Sequence, residues 1–221
     1  MNILNKFLVS TYERVAFKSY TLSKFAKADK FFRKILAIEP DRVGTCYNLG
    51  MVNFNMGNYD EAEKYVARER ARIGDTYEVC RALADIYWSK KDKESAHRFF
   101  KLAKVQASSD KEKNLMTKKM GLCASDKSFT DALSAVKVFE EADYYMSEKK
   151  YDEAEKLYLD GLEKDPSNFL AWNNLGVIAM NIRMKYDDAE KYFRTGDDMI
   201  DFKMIDDNLK SLMKLRKKTG L

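Results

Sequence analysis

Apolar and polar residues follow one another along this chain in short blocks with helical spacing, and the blocks recur. Three eight-residue stretches begin at Tyr59, Tyr151 and Tyr186 and share the order Tyr, Asp, acidic residue, Ala, Glu, Lys, followed by apolar residues. Looser copies begin at Phe25 and Lys93. Recurrence at a fixed period of about 20 to 50 residues is typical of repeat architectures, in which each unit buries its apolar face only against its neighbours.

The spacing of the conserved alanine in these copies predicts helical hairpins. Ala28, Ala62 and Ala96 lie 34 residues apart in succession, and Ala154 and Ala189 lie 35 residues apart. This period is that of two antiparallel helices and is not that of a sheet fold. We therefore expect an all-α solenoid of stacked hairpins.

A second half-motif precedes each alanine and marks the first helix of its hairpin. It reads Cys46-x2-Leu49-Gly50, then Cys80-x2-Leu83-Ala84, then Trp172-x2-Leu175-Gly176. The small residue that ends each motif is expected where the two helices approach closely, because a bulky side chain there would push their axes apart. Pro40 and Pro166 each follow their alanine by 12 residues, where proline ends the second helix.

These motifs resemble those of the tetratricopeptide repeat family, whose pattern is W-x2-L-G-x2-Y, then A-x3-F, then P. The resemblance covers residues 9–110 as three repeats and 135–203 as two. Cys46 and Cys80 stand where the family has tryptophan, Glu141 replaces a leucine, and one residue is inserted near Met184. The resemblance implies a right-handed superhelix of helix pairs with a concave groove that holds a partner.

The repeat register breaks in the middle of the chain. Ala96 and Ala154 are 58 residues apart, ten fewer than two full periods. The polar stretch 108–113 predicts a turn, and an unbroken apolar periodicity predicts one long helix over 129–148. We expect a three-repeat subdomain at 1–110, an irregular connector or degenerate fourth repeat at 111–134, and a two-repeat subdomain at 135–221. A capping helix at 204–218 would cover the last apolar face.

Composition agrees with a helical globular protein. Apolar residues make up 45% of the 221 residues and charged residues 34%, with only two prolines and nine glycines. No segment has the length and apolar character of a membrane-spanning helix or a secretory signal, so we expect a cytoplasmic protein without membrane insertion. The three cysteines are widely spaced and form no CxxC pair, which indicates reduced thiols and neither a metal site nor a cofactor.

Catalysis is not expected from the inventory of reactive residues. His97 is the sole histidine, and it occupies a variable position of a predicted second helix beside Arg98. No phosphate-binding glycine loop is present. Adjacent acids such as Asp187 and Asp188 point about 100 degrees apart on a helix and cannot converge on one atom. The chain is therefore predicted not to be an enzyme.

The resemblance implies that the first helix of each hairpin lines the groove, and the period then selects the candidate binding residues. They are Arg14, Phe17, Tyr20, Tyr47, Asn48, Met51, Phe54, Asn55, Arg81, Asp85, Trp88, Asn173, Asn174 and Asn181. Aromatic side chains give contact area at low entropic cost, and asparagine both donates to and accepts from a peptide backbone. This combination is typical of a groove for an extended peptide or a short helix.

Charge favours an acidic protein partner. Residues 1–110 carry 20 basic and 14 acidic side chains, a net charge of +6, whereas residues 111–221 carry 20 and 21, a net charge of −1. The co-chaperone members of the family bind a terminal carboxylate with a Lys/Asn/Asn/Lys/Arg clamp, of which only Asn48 is matched here. Nucleic acid is not expected, because basic residues such as Lys27 and Lys30 fall on the convex side.

Self-assembly is the alternative function. A terminal helix, 1–8 or 204–218, would dock in the groove of a neighbouring copy and produce a homo-oligomer. Ile3, Leu4, Phe7 and Leu8 give the first of these segments the apolar side chains that such docking needs.

Overall fold

The computed structural model describes residues 3–219, and within that range it contains twelve α-helices and no strand. The helices are α1 (Ile3–Thr21), α2 (Phe25–Ile38), α3 (Thr45–Asn55), α4 (Tyr59–Ile73), α5 (Tyr77–Ser89), α6 (Lys93–Gln106), α7 (Asp110–Leu122), α8 (Asp126–Ser147), α9 (Tyr151–Lys164), α10 (Phe169–Asn181), α11 (Tyr186–Asp197) and α12 (Lys203–Thr219). The predicted all-α helical-repeat solenoid is confirmed.

Five antiparallel hairpins account for most of the packing. The pairs are α1 with α2, α3 with α4, α5 with α6, α8 with α9, and α10 with α11. Within each unit, the second helix of one hairpin packs on the helix that opens the next, as α2 does on α3, α4 on α5 and α9 on α10. This alternation is the stacking of a solenoid, in which every hairpin buries its apolar face against a neighbour.

The chain divides into two compact units. Unit 1 is Met1–Gln106 and unit 2 is Ala107–Leu221. The boundary falls four residues before the expected one at 110. The stretch 108–113, expected to be a turn, contains the start of α7. The Ser109 side chain accepts a hydrogen bond from the Glu112 N–H, and the Glu112 carboxylate accepts one from the Ser109 N–H. Residues 111–134 are therefore helical over most of their length and belong to unit 2.

The long helix of unit 2 also begins earlier than its apolar periodicity predicts. α8 runs for 22 residues from Asp126, three residues before the expected start at 129. Ser125 caps it, since its side chain accepts from the Ser128 N–H and the Ser128 hydroxyl accepts from the Ser125 N–H. A capping pair of serines can begin a helix before any apolar residue does.

The repeated small residues lie where the helices of each hairpin meet. All five repeat alanines are fully buried: Ala28, Ala62, Ala96, Ala154 and Ala189. A Cβ at Gly50 would collide with the Val66 side chain and come close to the Ala62 carbonyl. At Gly176 such a Cβ would collide with the ring of Phe193.

Helix α12 covers the last hairpin. Its Ile205 and Leu212 are buried against Phe193 of α11 and Met180 of α10. In unit 1 the core is built from Val9, Phe32, Leu49 and their neighbours. Helix α12 thus closes the end of unit 2 by packing where the first helix of another hairpin would lie.

Candidate functional site

The first helices of unit 1 present a face with a cavity. Tyr20 of α1 and Asn55 of α3 are joined by a hydrogen bond of 3.1 Å from the asparagine amide to the phenol oxygen, and α3 contacts α5 in turn. Three first helices therefore lie side by side. Between α1 and α3 is a cavity of about 250 Å³, which we call the socket, lined by Phe17, Tyr20, Phe32, Tyr47, Asn48 and Met51.

Aromatic packing shapes the walls of the socket. The Phe17 ring meets the Phe32 ring edge-on, with 5.3 Å between centroids, and Tyr20 meets Phe25 in the same way at 5.7 Å. Phe17 is 47% exposed although its ring packs on a fully buried one. Edge-to-face pairs of this kind fix ring orientation. The socket is therefore a formed cavity with one exposed aromatic edge at its mouth.

Asn48 is the polar member of the socket. It is half-buried, and its side chain makes no hydrogen bond with any of residues 3–219. The other two asparagines of α3 already make hydrogen bonds within the protein. The Asn53 amide donates to the Leu49 carbonyl at 2.9 Å and to Asp29 at 3.0 Å. The Asn55 amide donates to the Met51 carbonyl at 2.7 Å. Asn48 therefore retains two donors and an acceptor at the edge of an apolar cavity.

Helix α5 adjoins the socket through Tyr47. Burial raises the pKa of the Tyr47 phenol above its ordinary value, with Arg81 opposing this rise and Glu78 and Asp85 adding to it. Arg81 and Asp85 pair with each other at 3.7 Å. A ligand on this side would therefore meet an ion pair of near-zero net charge, together with the exposed carboxylate of Glu78.

The remaining candidates of unit 1 lie beside the socket. Arg14 is exposed one turn before Phe17 on α1. Phe54 is half-buried and packs on Tyr59 with 5.7 Å between centroids, and Trp88 packs on Phe100 at 6.2 Å. Glu13, the residue before Arg14, is ion-paired with Arg42 at 3.0 Å. A ligand at this edge of the face would therefore meet a carboxylate whose charge Arg42 already neutralises.

The asparagines selected in unit 2 are not gathered into a second socket. Asn173 is 1% exposed, and its side-chain oxygen accepts a hydrogen bond of 2.8 Å from Asn208 of α12. Its burial removes it from any open groove, because α12 covers that side of α10. The Asn174 amide donates to the Tyr158 phenol at 2.9 Å and to Asp143 at 3.3 Å, whereas Asn181 is exposed at the end of α10.

One wall of the socket was missed by the repeat argument. Phe32 belongs to α2, a second helix, whereas the period selected residues of first helices only. The signal that could have found it is its place four residues after Ala28, the aromatic position of the A-x3-F motif. That position was treated as core, and Phe32 is indeed almost fully buried while still forming the floor of the socket.

The reactive side chains are placed as follows. Cys46, Cys80 and Cys123 are buried thiols, and burial raises the pKa of Cys80 to about 11. His97 is half-buried on α6. Over residues 3–219 no group of three or more His, Cys, Asp or Glu side chains is arranged to hold a metal ion. Among the described helices, none combines the length and the apolar character that crossing a bilayer requires.

Comparison with known proteins identifies the repeats. Family models described as tetratricopeptide repeat match residues 139–198 and residues 43–68. These segments contain the hairpins that carry the two best copies of the motif. The first covers the end of α8 through α11, and the second covers α3 and most of α4.

Similarity to individual proteins is distant. Protein bimA of Emericella nidulans is 24% identical over an alignment of 208 positions that covers 85% of this chain and 25% of that protein. The chain thus spans about a quarter of the length of this curated relative. Among solved structures, YrrB, described as a TPR protein with an unusual peptide-binding site, is 17% identical with a TM-score of 0.46, and 90% of each chain is covered. The TPR2AB domain of yeast Sti1 in its pHSP90 complex is 11% identical with a TM-score of 0.46, covering 97% of this chain and 86% of that one.

Proposed function

The chain belongs to the tetratricopeptide repeat family, and we propose that it is a non-catalytic scaffold that binds a protein partner through the face formed by α1, α3 and α5. The ligand is an extended peptide or short helix with one large apolar side chain in the socket. The observation that carries this proposal is the apolar cavity beside an uncommitted asparagine.

The size of the socket supports a single apolar anchor. A dry cavity of about 150 Å³ lined by apolar side chains accommodates benzene, and the socket measures about 250 Å³. A leucine, methionine or phenylalanine side chain therefore fits with room for its Cβ. Met51 lets the wall adapt, since an unbranched thioether side chain changes rotamer easily.

Asn48 supports recognition of a peptide backbone. Its amide can donate to a carbonyl of the ligand while its side-chain oxygen accepts from an N–H. A backbone segment whose side chain enters the socket would pass within reach of this amide, because Asn48 is part of the socket wall. The socket then selects the side chain, and Asn48 aligns the main chain on either side of it.

Charge supports an acidic residue next to the anchor. Arg14 is exposed one turn before Phe17, and none of residues 3–219 forms an ion pair with it. The net charge of +6 over residues 1–110 would speed the approach of an acidic peptide. The attraction is expected to weaken with added salt, because exposed charges are screened beyond roughly 8 Å at physiological ionic strength.

An array of short synthetic peptides tests the proposal. The full chain should retain peptides that contain one large apolar residue beside an acid, and it should lose them when that residue is changed to serine. Asn48→Ala removes one or two hydrogen bonds and should weaken binding about 5- to 30-fold, as the net value of each such bond is roughly 1 kcal/mol. Fluorescence anisotropy on a retained peptide measures the change.

Asn181→Ala is the matched control. It removes an exposed asparagine from the end of a first helix in unit 2, so it should leave peptide affinity unchanged. Equal affinities for the wild-type chain and Asn48→Ala, or retention that does not depend on an apolar residue, would contradict the proposal.

A further inference from the structure

The amino-terminal turns of α1 carry an apolar surface that nothing in the described chain covers. Ile3 is 87% exposed, Leu4 is 63% exposed and Phe7 is 67% exposed. Phe7 follows Ile3 by four residues and Leu4 by three, so the three side chains share one face of the helix. The opposite side of α1 is held in the core by Val9 and Ala16. A cluster of large exposed apolar side chains marks an interaction site.

From this surface and the socket, we propose that α1 of one chain docks on unit 1 of a second copy, with Phe7 in the socket. The inference rests on the proposed function in one respect, that the socket binds an apolar anchor. The inference adds that the anchor in the socket is Phe7 of a second copy of this chain.

The contact has to form between molecules. Phe7 and Phe17 lie ten residues apart on the same continuous helix, which separates them by about 15 Å along its axis. A rigid helix cannot fold back on itself, so Phe7 cannot reach the socket of its own chain. The apolar end and the apolar cavity of one chain can therefore satisfy each other only by pairing with those of another.

The size of Phe7 and one local pair of charges agree with this docking. Phe7 is a side chain of the dimensions that the 250 Å³ socket holds. Lys6 is exposed beside it, and residues 3–12 contain no acid. On the receiving face Glu78 is exposed and close enough to influence the Tyr47 phenol. Lys6 can thus pair with Glu78 on the α5 side of the socket, whereas Arg14 lies on α1. This local attraction acts against the repulsion between two copies whose residues 1–110 each carry a net charge of +6.

The geometry determines the kind of assembly. The two surfaces differ, so the interface is heterologous, and each docked pair still has one free α1 end and one free socket. Three side chains and their surroundings bury less than the roughly 1,200 Å² of a stable interface. Association should therefore be weak, reversible and open-ended, and it should produce linear assemblies of copies that grow longer as the protein concentration rises.

Sedimentation velocity on the full chain tests the proposal. Over about 10 µM to about 1 mM, the range for a weak complex, the weight-average sedimentation coefficient of the wild type should rise steadily. Phe7→Ser removes the anchor and Met51→Trp fills the socket. Each variant should remain monomeric at about 1 mM, a concentration where the wild type associates. Circular dichroism verifies that both stay folded, and neither position is fully buried.

Mixing the two variants gives the sharper result. Phe7→Ser keeps an open socket and Met51→Trp keeps an intact α1 end, so the equimolar mixture should form a 1:1 dimer that grows no further. Val105→Ser is the matched control, because Val105 is 71% exposed on α6 of the same unit. This variant should associate like the wild type.

The outcomes separate this inference from the proposed function. A wild type that is monomeric at about 1 mM, self-association that survives Phe7→Ser, or a mixture that does not dimerise would overturn the inference. In each of these cases peptide binding that is sensitive to Asn48→Ala would leave the proposed function standing. A dimer in the mixture without any such peptide binding would support docking and overturn the peptide proposal.

Discussion

Replacing Gly176 with alanine tests how closely the helices of the fifth hairpin are packed. A Cβ at this position would point into the ring of Phe193, well inside contact distance. Phe193 is fully buried, so its ring cannot turn aside without disturbing Ile205 and Leu212 of α12. Gly121 provides a matched control, because it lies in α7 of the same unit and an added Cβ would meet nothing within 4 Å.

The expected magnitudes follow from two opposing effects. Alanine in a helix interior is more stable than glycine by about 0.5 to 1 kcal/mol, because glycine loses more backbone entropy. Overpacking a close-packed core costs about 1 to 3 kcal/mol. Gly121→Ala should therefore stabilise the chain by up to about 1 kcal/mol, whereas Gly176→Ala should destabilise it, leaving about 1 to 3 kcal/mol between the two variants.

Urea unfolding followed by circular dichroism at 222 nm measures both variants. Combining Gly176→Ala with Phe193→Leu should recover part of the loss, giving a coupling energy of at least about 0.5 kcal/mol in a double-mutant cycle. The reasoning is refuted if Gly176→Ala unfolds at the same or a higher urea concentration than Gly121→Ala. That result would mean that the hairpin has space at this position.

Three further predictions concern buried polar and titratable groups. Asn208→Ala leaves the buried oxygen of Asn173 without its donor and should cost about 1 to 3 kcal/mol in urea unfolding, while the exposed Asn181→Ala should cost almost nothing. Burial raises the pKa of Cys80 from 9.0 to about 11, so its thiolate fraction at pH 8 falls about 100-fold. Cys80 should therefore be alkylated far more slowly in the folded chain than in guanidinium, as measured by mass spectrometry. The same shift makes folding favour the protonated thiol. This contribution to stability, about 3 kcal/mol, is complete below pH 9.0 and is lost as pH rises to about 11. Unfolding midpoints should therefore fall less steeply with pH in Cys80→Ala.

The hairpins could be predicted from the sequence because close helix packing restricts residue size. Only small residues fit where two helix axes approach, and such a restriction repeats with every hairpin. The five alanines are therefore regularly spaced in the sequence and fully buried in the structure. Proline after α2 and after α9 adds a stop signal, since both helices end two residues before it.

Helix starts in the middle of the chain could not be predicted in the same way. Serine and aspartate favour both turns and N-caps, so the polar stretch after Gln106 fits either structure. What decides between them is a reciprocal hydrogen bond between Ser109 and Glu112. Such a bond depends on the backbone that it stabilises, and the periodicity of apolar residues contains no information about it.

The position of the candidate site could be predicted from the sequence, but the accessibility of its side chains could not. Of the six residues that line the socket, five are among those that the repeat period selects, all from first helices. The period cannot show which face a later element covers. Asn173 was selected by the same argument, and it is buried because α12 packs on α10 and Asn208 reaches its side chain.

Asn48 and Asn174 show why the proposed binding is assigned to unit 1. They occupy the same position of their repeats, two residues after Cys46 and Trp172 respectively. The Asn174 amide already donates to Tyr158 and Asp143, and Tyr158 itself donates to Asp143 at 2.5 Å. A peptide that recruited Asn174 would have to replace these bonds and would gain little, because exchange of one hydrogen bond for another is nearly neutral. Asn48 has no such bond to lose within the described chain, so the full value of a new hydrogen bond is available to a ligand there, beside a cavity that can take its side chain.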